Sequence, residues 1–364
     1  MALLLLYILA GLFFCLLVYY LGFFWSAAFN KPQENNAKRI PVSVIVYAKN
    51  NSEELRYLLP VLLNQNYHQY ELVLVNNAST DDTLDLIKEY ALMYPNIRVV
   101  DVVNNEAFWG NKKYALTLAV KASKNEYLVC IDADKKIHSY NWLLQLTSHF
   151  TLHKTIVLGS FFYSKQKGIF NKWLRFFHTM QQLQVLAYSK NSTPYSLNLQ
   201  QIAFKKEEFY NVNGFISHLQ KPLFTNEYFI KDVATVKNTA ICEHPEALIE
   251  TEAINKNDYK ILKKQQVKLL TDLKGSTSFK IKFFNLIQFL FIIAAIVSFT
   301  TLTYWYITLA IVLLRKILFW IIFNKAAKKL TYTDLTLHFI LFDLFYIFMQ
   351  VQLFLSNIFS KPKP

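Results

Sequence analysis

The chain has 364 residues, 53% of them hydrophobic, and a formal net charge of +14. The apolar content excludes an intrinsically disordered chain, and only 7 glycines exclude collagen-like or Gly-rich linker material. Three widely spaced cysteines (Cys15, Cys130 and Cys242) cannot build a disulfide framework or a structural zinc site, which fits a reducing compartment.

The apolar excess collects at the two ends. Ala2 to Phe29 holds no charged side chain, enough for a helix across a hydrocarbon layer that needs roughly 20 residues. No Lys or Arg precedes this run, and it exceeds the length of a signal-peptide core, so it reads as an uncleaved anchor. At the other end lie three further apolar stretches, 283–302, 304–323 and 335–359. The expected division is an anchor at 1–29, a globular domain at 40–250, a basic segment at 251–282 and transmembrane helices at 283–364.

Basic residues beside the spans give the orientation. Lys31, Lys38 and Arg39 follow the first span; Lys274, Lys280 and Lys282 precede the second; Lys325, Lys328 and Lys329 separate the third and fourth. One anchor followed by a large domain and three spans puts all three clusters on the cytoplasmic side, with the globular domain. Lys361 and Lys363 would then face outward, against the trend. Arg315 and Asp343 reach similar depth on antiparallel helices, where an unpaired charge is costly. They read either as an ion pair, or, for Arg315 with Lys316, as the end of a short span and the start of an interfacial helix.

Between Lys256 and Lys282, lysines 256, 260, 263, 264, 268, 274, 280 and 282 face only Asp258 and Asp272. Interleaved Ile261, Leu262, Leu269, Leu270 and Leu273 predict an amphipathic helix lying on anionic lipid headgroups. Membrane lipids, not nucleic acid, are the partner this basic charge implies.

From residue 41 the pattern alternates. Val42–Ala48 (VSVIVYA) is a buried strand by length and β-branched content, and Glu53–Asn64 follows with leucines at helical spacing. Glu71–Val75 is a second strand, with a helix from Leu84 to Tyr90; Ile97–Val103 is a third, with a helix over Lys112–Ala122; Tyr127–Ile131 is a fourth. Such order predicts an α/β fold with a doubly wound, mostly parallel sheet, its ligand at the carboxyl ends of the strands.

Asp132-Ala133-Asp134 stands at the end of the fourth strand. Strand alternation would point both carboxylates one way, as a hard divalent cation needs, although the same residues also make an ordinary polar turn. Gly110-Asn111-Lys112-Lys113 opens the third helix, where free N–H groups and two lysines could hold phosphate oxygens or simply be solvated. The aromatic runs Phe161–Phe170 and Trp173–Leu186 fit an acceptor channel or plain helix packing.

Val42–Asn51, Leu74–Thr83 (LVNNASTDDT), Gly110–Leu116 (GNKKYAL) and Cys130–Asp134 resemble, in order and spacing, the motifs of family-2 glycosyltransferases with a GT-A fold. The resemblance covers roughly 40–250, and the anchor with three spans is similar to bacterial membrane-bound members. It implies inverting transfer of a sugar from a nucleotide-diphosphate sugar with a divalent cation (Mg or Mn), in a protein of the bacterial inner membrane with its catalytic domain in the cytoplasm. By the same resemblance, Asp134 would coordinate the metal and Asp132 the metal or the ribose, while Lys112 or Lys113 would lie near the phosphates. Ala48, Asn50, Asn51 and Asn77 would line the nucleoside pocket. Glu227 and Asp232, in FTNEYFIKDVAT, would be the catalytic pair, with Glu227 the base that takes the acceptor's proton.

The sequence departs from the family at Asn51, Asn77 and Asn226, where carboxylates are usual. It also has YKILKKQQV at Tyr259–Val267, without the Gln-x-x-Arg-aromatic motif of processive synthases. The expected activity is therefore non-processive transfer to a lipid-linked or membrane-proximal glycan acceptor. The alternative is a catalytically weakened or inactive subunit of a glycan-assembly complex. A transport protein is a third reading, for which four spans with one charged pair provide little pathway.

Overall fold

In a computed structural model, the described residues are 2–31, 40–103, 111–189, 194–196, 198–218, 225–273 and 275–359. Lys38, Arg39, Gly110, Lys274, Lys361 and Lys363 lie outside them. The chain divides into two units: Pro32–Ser164 with Pro194–Ala253, and Met1–Lys31 with Lys165–Thr193 and Ile254–Pro364. The expected globular block is thus interrupted, because residues 165–193 belong with the long helices.

The first unit is built on a seven-stranded sheet. Its strands are β1 (Val42–Ala48), β2 (Tyr70–Asn77), β3 (Ile97–Val102), β4 (Tyr127–Asp132), β6 (Ile156–Gly159), β8 (Gln201–Lys205) and β9 (Thr239–Cys242), in the order β3-β2-β1-β4-β8-β6-β9. A three-stranded sheet joins β5 (Lys136–Ile137), β10 (Ile249–Thr251) and β7 (Phe161–Tyr163). All neighbours from β3 to β4 pair in parallel, β8 runs antiparallel to both its neighbours, and β6 is parallel to β9. The expectation of a parallel-dominated α/β sheet is met. β1 is buried along nearly its whole length, as a strand covered on both faces must be, which is why VSVIVYA shows no polar alternation.

The chain steps outward from β1 to β2 and β3, then returns to place β4 on the other side of β1. That reversal makes the β1–β4 boundary a switch point, where the crossing connections part and leave a crevice. Register aligns the strand ends there: Tyr47 pairs with Asp132, Ala48 with Asn76, and Asn77 with Val102. The Lys112–Ala122 helix packs on the sheet through Ala115, Leu116, Ala119 and Val120, and the Thr225–Val233 helix joins the same core through Phe229, Ile230 and Val233.

In the second unit, Ala2–Phe29, Thr277–Thr300, Trp305–Lys329 and Thr336–Leu353 are long and apolar enough to cross a membrane. The Trp305–Lys329 helix runs unbroken through Arg315 and Lys316, so no span ends there. Arg315 donates to Asp343 at 2.8 Å and to Gln288 at 3.0 Å, and Lys316 donates to the same Asp343 oxygen at 2.5 Å. Of the two readings of Arg315, the ion pair is the one found.

The basic Lys256–Asp272 helix buries part of its apolar side in protein. Tyr259, Gln266 and Leu269 are buried inside the helical unit; the Tyr259 hydroxyl accepts from Trp173 Nε1 at 2.9 Å, and Gln181 donates to Gln266. Ile261 remains exposed on the same helix, as do Lys256, Lys260, Lys264 and Lys268. The Ile169–Ser189 helix is likewise buried from Trp173 to Ser189, with Trp173 and Phe176 against Phe342. Its aromatic run is packing material.

Removing the anion from the Arg315–Asp343–Lys316 cluster strands two cations among apolar helices. Asp343→Asn should lower stability by about 3–5 kcal/mol, the usual cost of breaking a buried pair. Replacing Arg315 with Met should cost less, because Lys316 still faces Asp343. Detergent-solubilised protein melted in parallel provides the comparison, and equal melting of wild type and Asp343→Asn would refute it.

Candidate active site

At the switch point, the Lys112 ammonium lies 2.5 Å from both carboxylate oxygens of Asp132. The helix that presents Lys112 starts at Asn111, whose side chain accepts from the Lys113 backbone N–H at 2.9 Å, an N-cap that sets the helix start. Lys112 also sits over the Tyr47 ring, 4.8 Å from its centroid, and the Tyr47 hydroxyl accepts from Asn77 Nδ2 at 2.8 Å. Asn77, Tyr47, Lys112 and Asp132 therefore form one connected chain across the ends of β2, β1 and β4. Burial works against charging Lys112, but the facing Asp132 carboxylate outweighs it and raises the ammonium's pKa above the ordinary lysine value.

Glu227 reaches the same locus from the Thr225–Val233 helix. It is 6% exposed, and its Oε1 accepts the Leu199 backbone N–H at 2.6 Å. Burial is the main influence on its carboxyl and raises the pKa to about 7; the Leu199 hydrogen bond and Lys112 pull it down, and the Asp132 charge pushes it up. The influence of Lys112 and Asp132 on this acid ties the base predicted from sequence to the cluster at the strand ends.

The sequence model described as Glycosyl transferase family 2 matches residues 43–219, which span all of these strand ends. Residues 43–219 are a family-2 glycosyltransferase domain. Among its relatives, poly(ribitol-phosphate) beta-glucosyltransferase of Bacillus spizizenii is 29% identical over 121 residues, covering 31% of this chain and 19% of that protein. Poly(ribitol-phosphate) beta-N-acetylglucosaminyltransferase TarP of Staphylococcus aureus is 31% identical over 141 residues, covering 36% of this chain and 41% of that protein. The chain thus spans well under two thirds of the length of the curated relatives it matches. A solved structure of the mannosyltransferase PcManGT from Pyrobaculum calidifontis, in complex with GDP-Man and Mn2+, superposes with a TM-score of 0.55 at 18% identity, over 90% of this chain and 99% of that one. At that identity the likeness establishes the GT-A type of fold.

Within the glycosyltransferase domain, the remaining predicted residues are placed as follows. Ala48 is buried at the end of β1. Asn50 takes the left-handed backbone conformation (φ 54°), which Asn tolerates better than most residues, and its side chain accepts from Thr80 N at 2.8 Å. Asn51 donates its N–H to Thr83 Oγ1 at 2.9 Å and accepts from Lys49 N at 3.0 Å. The Asn50 side chain thus ties the loop after β1 to the loop after β2, whereas the Asn51 side chain closes a turn within the first loop and only its backbone N–H reaches Thr83. Lys113 is buried, so Lys112 is the lysine that faces Asp132.

Asp232 departs from its expected partnership with Glu227. Five residues further along a helix is about 140° around its axis, and Asp232 is 2.5 Å from His218 Nε2. His218 stacks on Tyr228 and is a pairing the sequence did not announce.

Asp134 lies in the turn after β4, so strand alternation, which ends at Asp132, does not govern it. Its side chain is 49% exposed and accepts from Lys135 Nζ at 2.6 Å. Among the described residues no group of three or more His, Cys, Asp or Glu could hold a metal ion by itself. A hard carboxylate with an open face still fits Mg or Mn, which commonly take one or two protein carboxylates and draw other oxygens from substrate phosphates and water. Asp134 has that open face, whereas both oxygens of Asp132 are on Lys112. Sequence reasoning passed over Tyr47, Lys135 and His218; the Lys-Lys doublet directly after Asp134 was the one available signal.

The raised pKa of the Glu227 carboxyl also bears on stability. An acid with a folded pKa of about 7 against a free value of 4.5 holds its proton more tightly when folded. That contribution is full below about pH 4.5 and is lost as pH rises through 7. Glu227→Gln should therefore be more stable than wild type at pH 8, by up to about 3 kcal/mol, and should lose this advantage near pH 4.5. Melting curves at both pH values check it; identical pH dependence of the two proteins would refute the burial argument.

Proposed function

We propose that this chain is a membrane-anchored, inverting glycosyltransferase. It moves one sugar from a nucleotide-diphosphate sugar to a hydroxyl of a lipid-linked or membrane-proximal glycan acceptor, without processive extension. The observation that carries the reading is a buried carboxyl with a pKa of about 7, Glu227, within electrostatic reach of a lysine–aspartate pair at the sheet's switch point. A general base works best with a pKa near the working pH.

In this reading one Glu227 oxygen stays on the Leu199 N–H, which fixes the carboxylate, and the other takes the acceptor proton. The acceptor oxygen attacks the anomeric carbon as the bond from that carbon to the phosphate oxygen breaks on the opposite face. The diphosphate leaves with the bonding electron pair. Lys112, held by Asp132 and Tyr47, offers positive charge to the departing phosphate. Asp134 would hold a divalent cation, whose contribution when bound is to neutralise charge on the leaving group. The four apolar helices and the basic residues beside them support an inner-membrane protein with this domain on the cytoplasmic side.

The test uses detergent-purified protein and a panel of nucleotide sugars with Mg or Mn, reading nucleoside diphosphate release. One donor should be consumed, with kcat/KM rising as pH increases through about 7 and then levelling. Glu227→Gln should reduce turnover by about 10²–10⁴-fold while retaining donor binding in a melting assay. Absence of both release and ligand-induced melting shifts across the panel would overturn the proposal, as would a fully active Glu227→Gln.

A further inference from the structure

Both aspartates after β4 are already matched by a lysine. Asp132 holds Lys112, and Asp134 holds Lys135 at 2.6 Å. The second pair is unusual in its burial. The Lys135 side chain is 5% exposed against 49% for Asp134, so the ammonium approaches the carboxylate from inside the domain while the other face of Asp134 meets solvent. Lys135 is kept there by a second contact, Nζ to Thr251 Oγ1 at 3.1 Å, on a strand that pairs with β5 immediately after it. Burying an ammonium is unfavourable unless it is paired, so Lys135 needs Asp134 as much as Asp134 accepts Lys135.

The reading above makes Asp134 the protein ligand of a divalent cation, and the inference rests on it. We propose that Lys135 is a built-in counter-ion that competes with that cation for Asp134, so that the metal is captured as a chelate with a nucleoside diphosphate and not as a free ion. Charge balance carries the argument. With Lys112 on Asp132 and Lys135 on Asp134, the two aspartates present no net negative charge to an approaching dication, and the nearest charge behind Asp134 is positive. A diphosphate reverses this: its oxygens supply the negative charge and the extra ligands that the aspartates lack. Lys135 acts through Asp134 and is a positioning residue.

Manganese binding, followed by paramagnetic resonance on the full-length protein, tests the idea without any turnover. Wild type alone should show no saturable Mn2+ binding in the micromolar range and should gain it when UDP or GDP is added. Lys135→Met, similar in length but uncharged, should bind Mn2+ without nucleotide at least tenfold more tightly than wild type. Asp134→Asn should abolish binding in both backgrounds. Lys135→Gln provides a second uncharged variant, and far-ultraviolet dichroism confirms that each protein is folded.

Tight binding of free Mn2+ by wild type would overturn the proposal whatever the variants do, as would unchanged affinity in folded Lys135→Met and Lys135→Gln. If neither nucleotide promotes Mn2+ binding to wild type but the lysine variants bind the free ion more tightly, Lys135 is the competing counter-ion and the donor assignment fails instead. If Asp134→Asn leaves metal binding intact, the metal is held elsewhere and both readings fall.

Discussion

A lysine and an aspartate, brought together at the ends of a helix and a strand, organise the candidate site of the sheet-containing unit. Asp132 ends β4 beside Tyr47 of β1, and the Lys112–Ala122 helix crosses the sheet so that its first turn delivers an ammonium to that carboxylate. Each side chain is 30% exposed, so neither charge is fully hydrated. Each therefore depends on the other, and the pair cannot form unless the strand register, the N-cap at Asn111 and the packing of Ala115, Leu116 and Ala119 are all in place. Tyr47 adds a π-face beneath the ammonium, and Asn77 ties that ring to β2. An amide suffices at position 77 because its partner is a phenol hydroxyl.

Against this paired background, Glu227 behaves differently. Asp132 has a cation on both oxygens, whereas Glu227 has one backbone N–H and is otherwise desolvated. Two carboxyls near one locus thus have different surroundings, one held by a cation and one desolvated, the usual route by which a single site separates an electrostatic role from a proton-accepting one. The helix that bears Glu227 is held by Phe229, Ile230 and Val233 in the sheet's own core, which makes the placement of the base a consequence of hydrophobic packing.

The helical unit solves a different problem. Arg315, Lys316, Asp343 and Gln288 form a polar knot on helices whose other side chains are overwhelmingly apolar. Apolar contacts between such helices discriminate poorly between one register and the next, and a hydrogen-bonded charge pair penalises every register that leaves it open. Arg175, itself buried, adds a bidentate contact to the partly exposed Asp334, at 2.7 and 2.9 Å, in the same unit. The segment 165–193 belongs here rather than with the sheet because its helix is buried on nearly every side from Trp173 onward, polar residues such as Arg175, His178 and Gln181 included.

The sequence by itself determined the alternation of strands and helices, the class of the sheet, the four apolar helices and the family motifs, because these are written in local periodicity and short spacings. Val42–Ala48 and Lys112–Ala122 agree with the structure to the residue, since hydrophobic run length and an N-cap define their ends. Partnerships between distant residues were another matter. That Asp132 would be saturated by Lys112, that Asp134 would back onto buried Lys135, that Asp232 would turn to His218, and that the basic Lys256–Asp272 helix would bury Tyr259, Gln266 and Leu269 in protein were decided only by tertiary packing. A sequence states which charges exist and roughly which element carries each; which of them meet depends on crossover direction, helix rotation and depth of burial, and those belong to the folded chain as a whole.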